Sequence, residues 1–295
     1  LAPGPAAPVL QLQRVLGNRA VAQLVAGGGG WDVIRRAPLV HNIINFVVMN
    51  NTANALLALG ASPAMAHSLD EVEDFVAISQ ALVVNIGTLD SQQIAACKLA
   101  AMRAGAVGIP WILDPVGTKA TPYRRTAASA LARLRPSAIR GNGSEILALA
   151  QQSGQGRGVD SAHGSNMALS AARRLAAETG AVVAVTGAVD YVTDGTRVIA
   201  IENGHPLMTR VTGLGCSATA VIGAFLAVEA DVLMATVAAL AAFGVAGEIA
   251  AETARGPGSL QVALLDALYR LDEATLDNRA RVSIFEQAEE ARRSG

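Results

Sequence analysis

Aromatic residues make up only 3% of this 295-residue chain, and charged residues only 16%. Folded domains average about 25% charged residues, so the surface expected here is charge-poor. The net charge of −1 leaves no basic excess of the kind nucleic-acid binders carry, and no nucleic-acid partner is expected. Cysteine is scarce as well, with only Cys97 and Cys216. Two thiols so far apart make no disulfide framework, so a reducing, cytoplasmic setting is the expectation. No paired Cys or His spacing marks a zinc site; His41, His67, His163 and His205 are scattered. There is no Gly-x-Ser-x-Gly elbow and no Walker A sequence.

What is abundant is apolar bulk. Hydrophobic residues reach 52% and mean hydropathy is +0.37, which excludes global disorder. Residues 38–69 contain no Asp, Glu, Lys or Arg. They do hold Asn42, Asn45, Asn50, Asn51 and Asn54, which a lipid-facing helix would not tolerate cheaply. The uncharged runs 211–228 and 232–247 are short for a span and read as buried helices, so no membrane is expected. Residues 1–30, with LAPGPAAP and a four-glycine run at 27–30, read as a flexible leader. Residues 31–295 are expected to form a single domain.

Past the leader, short apolar segments alternate with helical patterns. Strands are expected at 64–66, 81–86, 110–113, 137–139 and 181–185. Helices are expected at 47–59, 70–79, 91–104, 121–134, 144–151, 166–179, 216–228, 232–252 and 260–271. Asp194-Gly195 between 189–193 and 197–201 signals a hairpin. Residues 153–164 read as a loop and the charged end from Asp277 as a frayed helix. This alternation predicts an α/β fold with a mainly parallel central sheet and helices on both faces. Ligands of such sheets sit beyond the carboxyl ends of the strands. Asp114, Arg140 and Thr186 stand at those exits.

The strongest local signal is the run Val211-Thr212-Gly213-Leu214-Gly215-Cys216-Ser217-Ala218-Thr219. Two glycines allow close backbone approach, and the helix that follows opens with unpaired N–H groups, which suits an anion. Cys216 at that start is where a thiol pKa tends to fall; the plain alternative is a glycine turn before a core helix. Asp114 before Pro115 either holds a hydrated Mg²⁺ or initiates a turn. Glu145 three residues after Asn142 forms a variant of the capping box. Arg140 in the same turn can pair with a phosphate. His41 and the asparagines after it suit a polar pocket wall or local capping. Met65, after Pro63, suits core packing or a ligand contact.

Together these pieces resemble one family. The stretches are PLVHNIINFVVMNNTANALLALGASPAM, ALVVNIGTL, ILDPVG with ATPYR, AIRGNGSEI, VAVTGAVDYVTDG, NGHPLMTRVTGLGCSATAVIGAF and GPGS. In this order they resemble hydroxyethylthiazole kinase, within the ribokinase-like superfamily, over residues 38–271. The resemblance implies a ribokinase-like fold, transfer of the γ-phosphoryl of ATP to the alcohol of 4-methyl-5-(2-hydroxyethyl)thiazole for thiamine salvage, a Mg²⁺ requirement and a homotrimer. It implies that Asn45, Met65 and Gly213 contact the thiazole and that Arg140 and Thr186 bind ATP. Asp114 and Glu145 would organise Mg²⁺, and Cys216 would stand where most of the superfamily carries an aspartate base. Leu214 and Ile44 depart from residues common in the family. Competing readings are a kinase for another small alcohol, such as a pyrimidine methanol, and a non-catalytic binder of thiazole compounds.

Overall fold

The computed structural model describes residues 36–153 and 164–285. The leader expected at 1–30, most of the loop expected at 153–164 and the end of the chain past 285 lie outside the described residues.

Six strands run parallel: β1 (Leu39–Ile43), β2 (Ser62–Ala64), β3 (Ala81–Asn85), β4 (Trp111–Asp114), β5 (Ala138–Asn142) and β6 (Val182–Thr186). Three antiparallel strands extend them: β7 (Asp190–Thr193), β8 (Val198–Ile201) and β9 (Val282–Ile284). The order across the sheet is β2-β1-β3-β4-β5-β6-β7-β8-β9. Strand β2 lies outside β1, whereas β3 lies on its other side, so the chain reverses direction at β1/β3. A reversal of this kind opens a crevice at the carboxyl edge.

One face is covered by α1 (Met49–Leu59), α7 (Leu214–Leu226), α8 (Val232–Thr253) and α9 (Pro257–Arg270). The other carries α2 (Val72–Ile78), α3 (Ser91–Val107), α4 (Pro122–Ala132), α5 (Gly143–Ser153) and α6 (Gly164–Thr179). The caps follow from the sequence. Gly60, at φ 96°, ends α1 in the left-handed conformation. Asp90 and Thr121 accept from the amides of Gln93 and Arg124 to start α3 and α4. Helix α7 packs on β1, β3 and β4, and Gly223 permits it: a Cβ there would lie 2.6 Å from Val83 Cγ2. Among the described residues α8 is the one helix long and apolar enough to cross a membrane; 78% of its apolar window is buried in the protein, between α7, α9 and the sheet.

Three strands depart from the expectation. Residues 39–43 form β1, although His41 and Asn42 interrupt its apolar run. Both are buried rather than in a pocket wall, His41 with Nε2 2.7 Å from Ala66 O and Asn42 donating to Val40 O. At the other end a short α10 (Glu273–Arg279), capped by Asp272, gives way to β9 instead of a frayed helix. The open edge of β8 supplies the pairing, with Ala200 opposite Ser283, which no local propensity encodes. Strand β2 also begins two residues earlier than expected, leaving Met65 just beyond it.

Candidate active site

Parallel strands place their carboxyl ends on one edge, and the polar exits meet there. Asp114, at the end of β4, is fully buried. Its Oδ2 accepts from Asn85 Nδ2 and from Thr219 Oγ1, each at 2.8 Å. Its Oδ1 is buried and has no hydrogen-bond partner among the described residues. Burial pushes the Asp114 carboxyl up to about 6; Arg140, with Nη1 4.0 Å away, opposes that rise and Glu145 adds to it.

Asn85 also links the β1/β3 crevice. Its Oδ1 accepts from Asn45 Nδ2 at 2.9 Å, and the same Nδ2 lies 3.5 Å from Cys216 Sγ. A polar chain thus runs from Asn45 through Asn85 and Asp114 to Thr219. Gly87 lets Asn45 close over it, since a Cβ would lie 2.7 Å from the Asn45 side chain. Phe46, next in the chain, contacts the His67 ring at 5.7 Å, and half-buried Met65 packs against the core cluster holding Ile44, Val48 and Leu214. Met65 follows β2, which pairs with β1, the strand that leads to Asn45.

The mouth of α7 faces this chain. Gly213 precedes the helix at φ 82°, and a Cβ would lie 2.5 Å from Val48 Cγ1. No side chain caps α7 among the described residues, so its first amides keep their positive pole. Arg140 supplies a second positive group: Nη2 donates to Thr186 Oγ1 at 2.6 Å, and Nη1 lies 2.7 Å from where a Gly215 Cβ would stand. The lowered thiol pKa expected of Cys216 is not found. Burial, and secondly the Asp114 charge, push it up to about 11. Proximity to a helix start is outweighed by loss of water.

Glu145 forms the capping box expected of it. Its amide donates to Asn142 Oδ1 (3.1 Å) while its Oε2 accepts from the Asn142 amide (2.9 Å), a reciprocal cap. Its Oε1 accepts from the Gly117 amide at 2.9 Å, tying the β4 exit to the β5 exit.

Arg124 is a site-shaping residue that the sequence pattern did not reveal. Its Nη1 donates to Ile86 O (2.7 Å) and Val116 O (3.0 Å), and its Nη2 to Gly87 O (2.7 Å). It staples the β3 and β4 exits together from α4. Asn85 and Thr219 were missed too. The signal for Asn85 was an amide inside the apolar strand ALVVNI.

A cavity of about 580 Å³ opens on the far side of Arg140, lined by Thr186, Asp190, Asn203, His205, Gly215 and Phe243 among others. Of the eight site residues expected, Arg140 and Thr186 line it. Asp114, Cys216 and Asn45 lie behind Arg140 on the polar chain, Gly213 at the helix mouth, and Glu145 beside Asp114.

Comparison with known proteins fits this geometry. The family model described as "Hydroxyethylthiazole kinase family" matches residues 32–274. A hydroxyethylthiazole kinase of Granulibacter bethesdensis is 59% identical over 246 residues, covering 83% of this chain and 90% of that protein. The structure of the hydroxyethylthiazole kinase protein from Pyrococcus horikoshii OT3 superposes with a TM-score of 0.83 at 44% identity, covering 91% of this chain and 100% of that one. A ribokinase-like superfamily protein from Enterococcus faecalis, only 13% identical, covers 80% of this chain and 93% of that one at a TM-score of 0.59, and shares the fold alone. The fold is ribokinase-like α/β, and the chain belongs to the hydroxyethylthiazole kinase family.

Proposed function

We propose that this protein transfers the γ-phosphoryl group of ATP to the primary alcohol of 4-methyl-5-(2-hydroxyethyl)thiazole, in thiamine salvage. The observation that carries the reading is the convergence of the uncapped α7 mouth and the Arg140 guanidinium at Gly215, between the large cavity and the Asn45–Cys216 side. Two positive groups meeting at one point favour an anion held between two ligands.

In this reading the nucleotide occupies the cavity. Arg140, steadied by Thr186, holds its phosphates. Asn45, Met65 and Gly213 border the thiazole, with Cys216 beside its hydroxyl arm. Phosphoryl transfer has a loose transition state, so positioning and electrostatics do most of the work. A thiol raised to about 11 is protonated at neutral pH. Cys216 therefore orients the alcohol; as the new P–O bond forms and the bond from the γ-phosphorus to the ADP oxygen breaks, the alcohol proton passes late to an oxygen of the transferred phosphoryl group.

The acids suit Mg²⁺. Asp114 Oδ1 is a buried oxygen without a partner among the described residues, and Glu145 adds a second carboxylate. Asp114 and Glu145 would hold the ion, and when bound it neutralises phosphate charge. The proposal includes a homotrimer; exposed Phe46 and Val47 beside Asn45 offer apolar surface for a subunit contact.

The test is phosphorus NMR of the protein with ATP, Mg²⁺ and the thiazole alcohol. A new phosphomonoester resonance that requires all components is expected. Phosphorylation of a pyrimidine methanol but not of the thiazole would replace the substrate assignment. ATP and thiazole both left intact would remove the activity.

A further inference from the structure

One wall of the cavity is a loop, 202–208, with little secondary structure of its own beyond the start of a 3-10 turn at Pro206–Arg210. Asn203, Gly204, His205, Pro206 and Met208 all line the cavity. The same loop leads straight to Gly213 and the α7 mouth. Its placement therefore sets the cavity's shape on one side and the chain's approach to the anion site on the other.

Helix α8 is cut to receive it. A Cβ at Gly244 would lie 2.7 Å from Asn203 Cβ and 2.9 Å from its carbonyl carbon. A Cβ at Gly247 would fall well inside contact distance of Met208 Sδ. One residue further on, Glu248 holds the loop by charge. Its Oε1 accepts from the Gly204 amide at 2.8 Å, and Asn203 Nδ2 donates to both its oxygens at 3.3 and 3.4 Å.

Glu248 is itself held. Arg281 grips it with two nitrogens, Nη2 to Oε1 at 2.5 Å and Nη1 to Oε2 at 3.2 Å, and Nη2 also donates to Glu202 O at 2.6 Å. Asn203 completes the circuit: its Oδ1 accepts from the Arg281 amide at 2.7 Å, and its Nδ2 donates to Arg279 O at 2.9 Å. Burial works against the Glu248 charge, but the bonds from Arg281 and Gly204 outweigh it and hold the carboxyl below its ordinary range. A fork-to-fork pair with backbone amides as extra partners fixes geometry more firmly than an isolated surface ion pair. Neither Glu248 nor Arg281 lines the cavity.

We infer that Glu248, locked by Arg281, is a positioning residue for nucleotide binding: it holds the 203–208 wall of the cavity without touching the ligand. The inference rests on reading the cavity as the nucleotide site. Loss of the carboxylate frees the Gly204 amide and leaves Asn203 held only by the Arg279 carbonyl and the Arg281 amide, so the Gly204 side of the wall must be ordered at each binding event.

Steady-state kinetics on Glu248→Ala, Glu248→Gln and Arg281→Ala test it. The KM for ATP is expected to rise about ten-fold in Glu248→Ala, with kcat and the KM for the thiazole within about two-fold of the parent. Glu248→Gln keeps an acceptor for the Gly204 amide and is expected to fall between. Glu252→Ala is the control, since Glu252 pairs with Arg279 at 2.6 Å one turn further along α8 but makes no bond to the loop; its KM for ATP should not move. An unchanged KM for ATP in Glu248→Ala, or an equal rise in both KM values, overturns the inference. Should Glu248→Ala fail to fold, Glu248→Gln and Arg281→Ala carry the same comparison. Calorimetric titration with ADP separates the two readings. Weaker ADP binding by the variants supports the positioning role even if no thiazole phosphate is formed by the parent. Unaltered ADP binding overturns it even if the kinase assignment stands.

Discussion

Arg140 occupies the space that a side chain at Gly215 would take: Nη1 lies 2.7 Å from the position of the missing Cβ. The glycine of the helix mouth and the arginine of the β5 exit are therefore one device. Gly215→Ala is expected to displace the guanidinium, raising the KM for ATP on the order of ten-fold, equivalent to about 1.4 kcal/mol, with little loss of stability. Arg140→Ala should weaken ATP use further while sparing thiazole binding. Gly213→Ala should behave differently. Its φ of 82° and the 2.5 Å approach of Val48 Cγ1 predict a stability loss of about 1–3 kcal/mol. Kinetics alongside urea denaturation of the three variants distinguishes these outcomes.

Cys216→Ala should slow turnover without abolishing it. A thiol raised to about 11 is protonated and cannot accept the alcohol proton. The loss in kcat should stay below the ~100-fold that removal of a general base begins to cost. Cys216→Asp places a carboxylate at the positive pole of α7 and should preserve or raise kcat. Loss of all measurable turnover in a folded Cys216→Ala protein would return the base role to the cysteine.

Asp114→Asn tests the buried acid by pH. The folded pKa of about 6 lies above the ordinary 3.8, so ionisation costs the folded state. The penalty is absent below about pH 3.8, grows as pH rises from there to about 6, and is complete above it. In metal-free buffer the variant's melting temperature relative to the parent should therefore climb between pH 4 and pH 7. The cost of the misfit amide is independent of pH and leaves that slope intact. The variant should also need more Mg²⁺ for half-maximal activity. An unchanged metal titration would move the ion's site away from Asp114.

Arg124→Ala strips the donor from Ile86 O, Gly87 O and Val116 O. Unsatisfied carbonyls predict a stability loss of about 1–3 kcal/mol. Loosening the β4 exit should disturb the Gly117–Glu145 contact, so the Mg²⁺ requirement should rise as well. A metal titration and thermal denaturation of the same sample read both; a normal Mg²⁺ titration in a destabilised variant would reduce Arg124 to a structural role.

Local chemistry wrote much of this protein into its sequence. The αL stop at Gly60, the caps of Asp90 and Thr121, the Asn142–Glu145 box and the parallel strand exits at Asp114, Arg140 and Thr186 follow from short-range patterns, because hydrogen-bonding geometry within a few residues decides them. The family motifs lie along the chain in the same way. Long-range contacts decided the rest. Strand β1 is buried by neighbours on both sides despite His41 and Asn42, and β9 exists because β8 offered an open edge. The Asn45–Asn85–Asp114–Thr219 chain and the Arg124 staple join residues from separate elements. The thiol of Cys216 rises rather than falls, because a helix start is visible in sequence while the desolvation that outweighs it comes from strands packed around it.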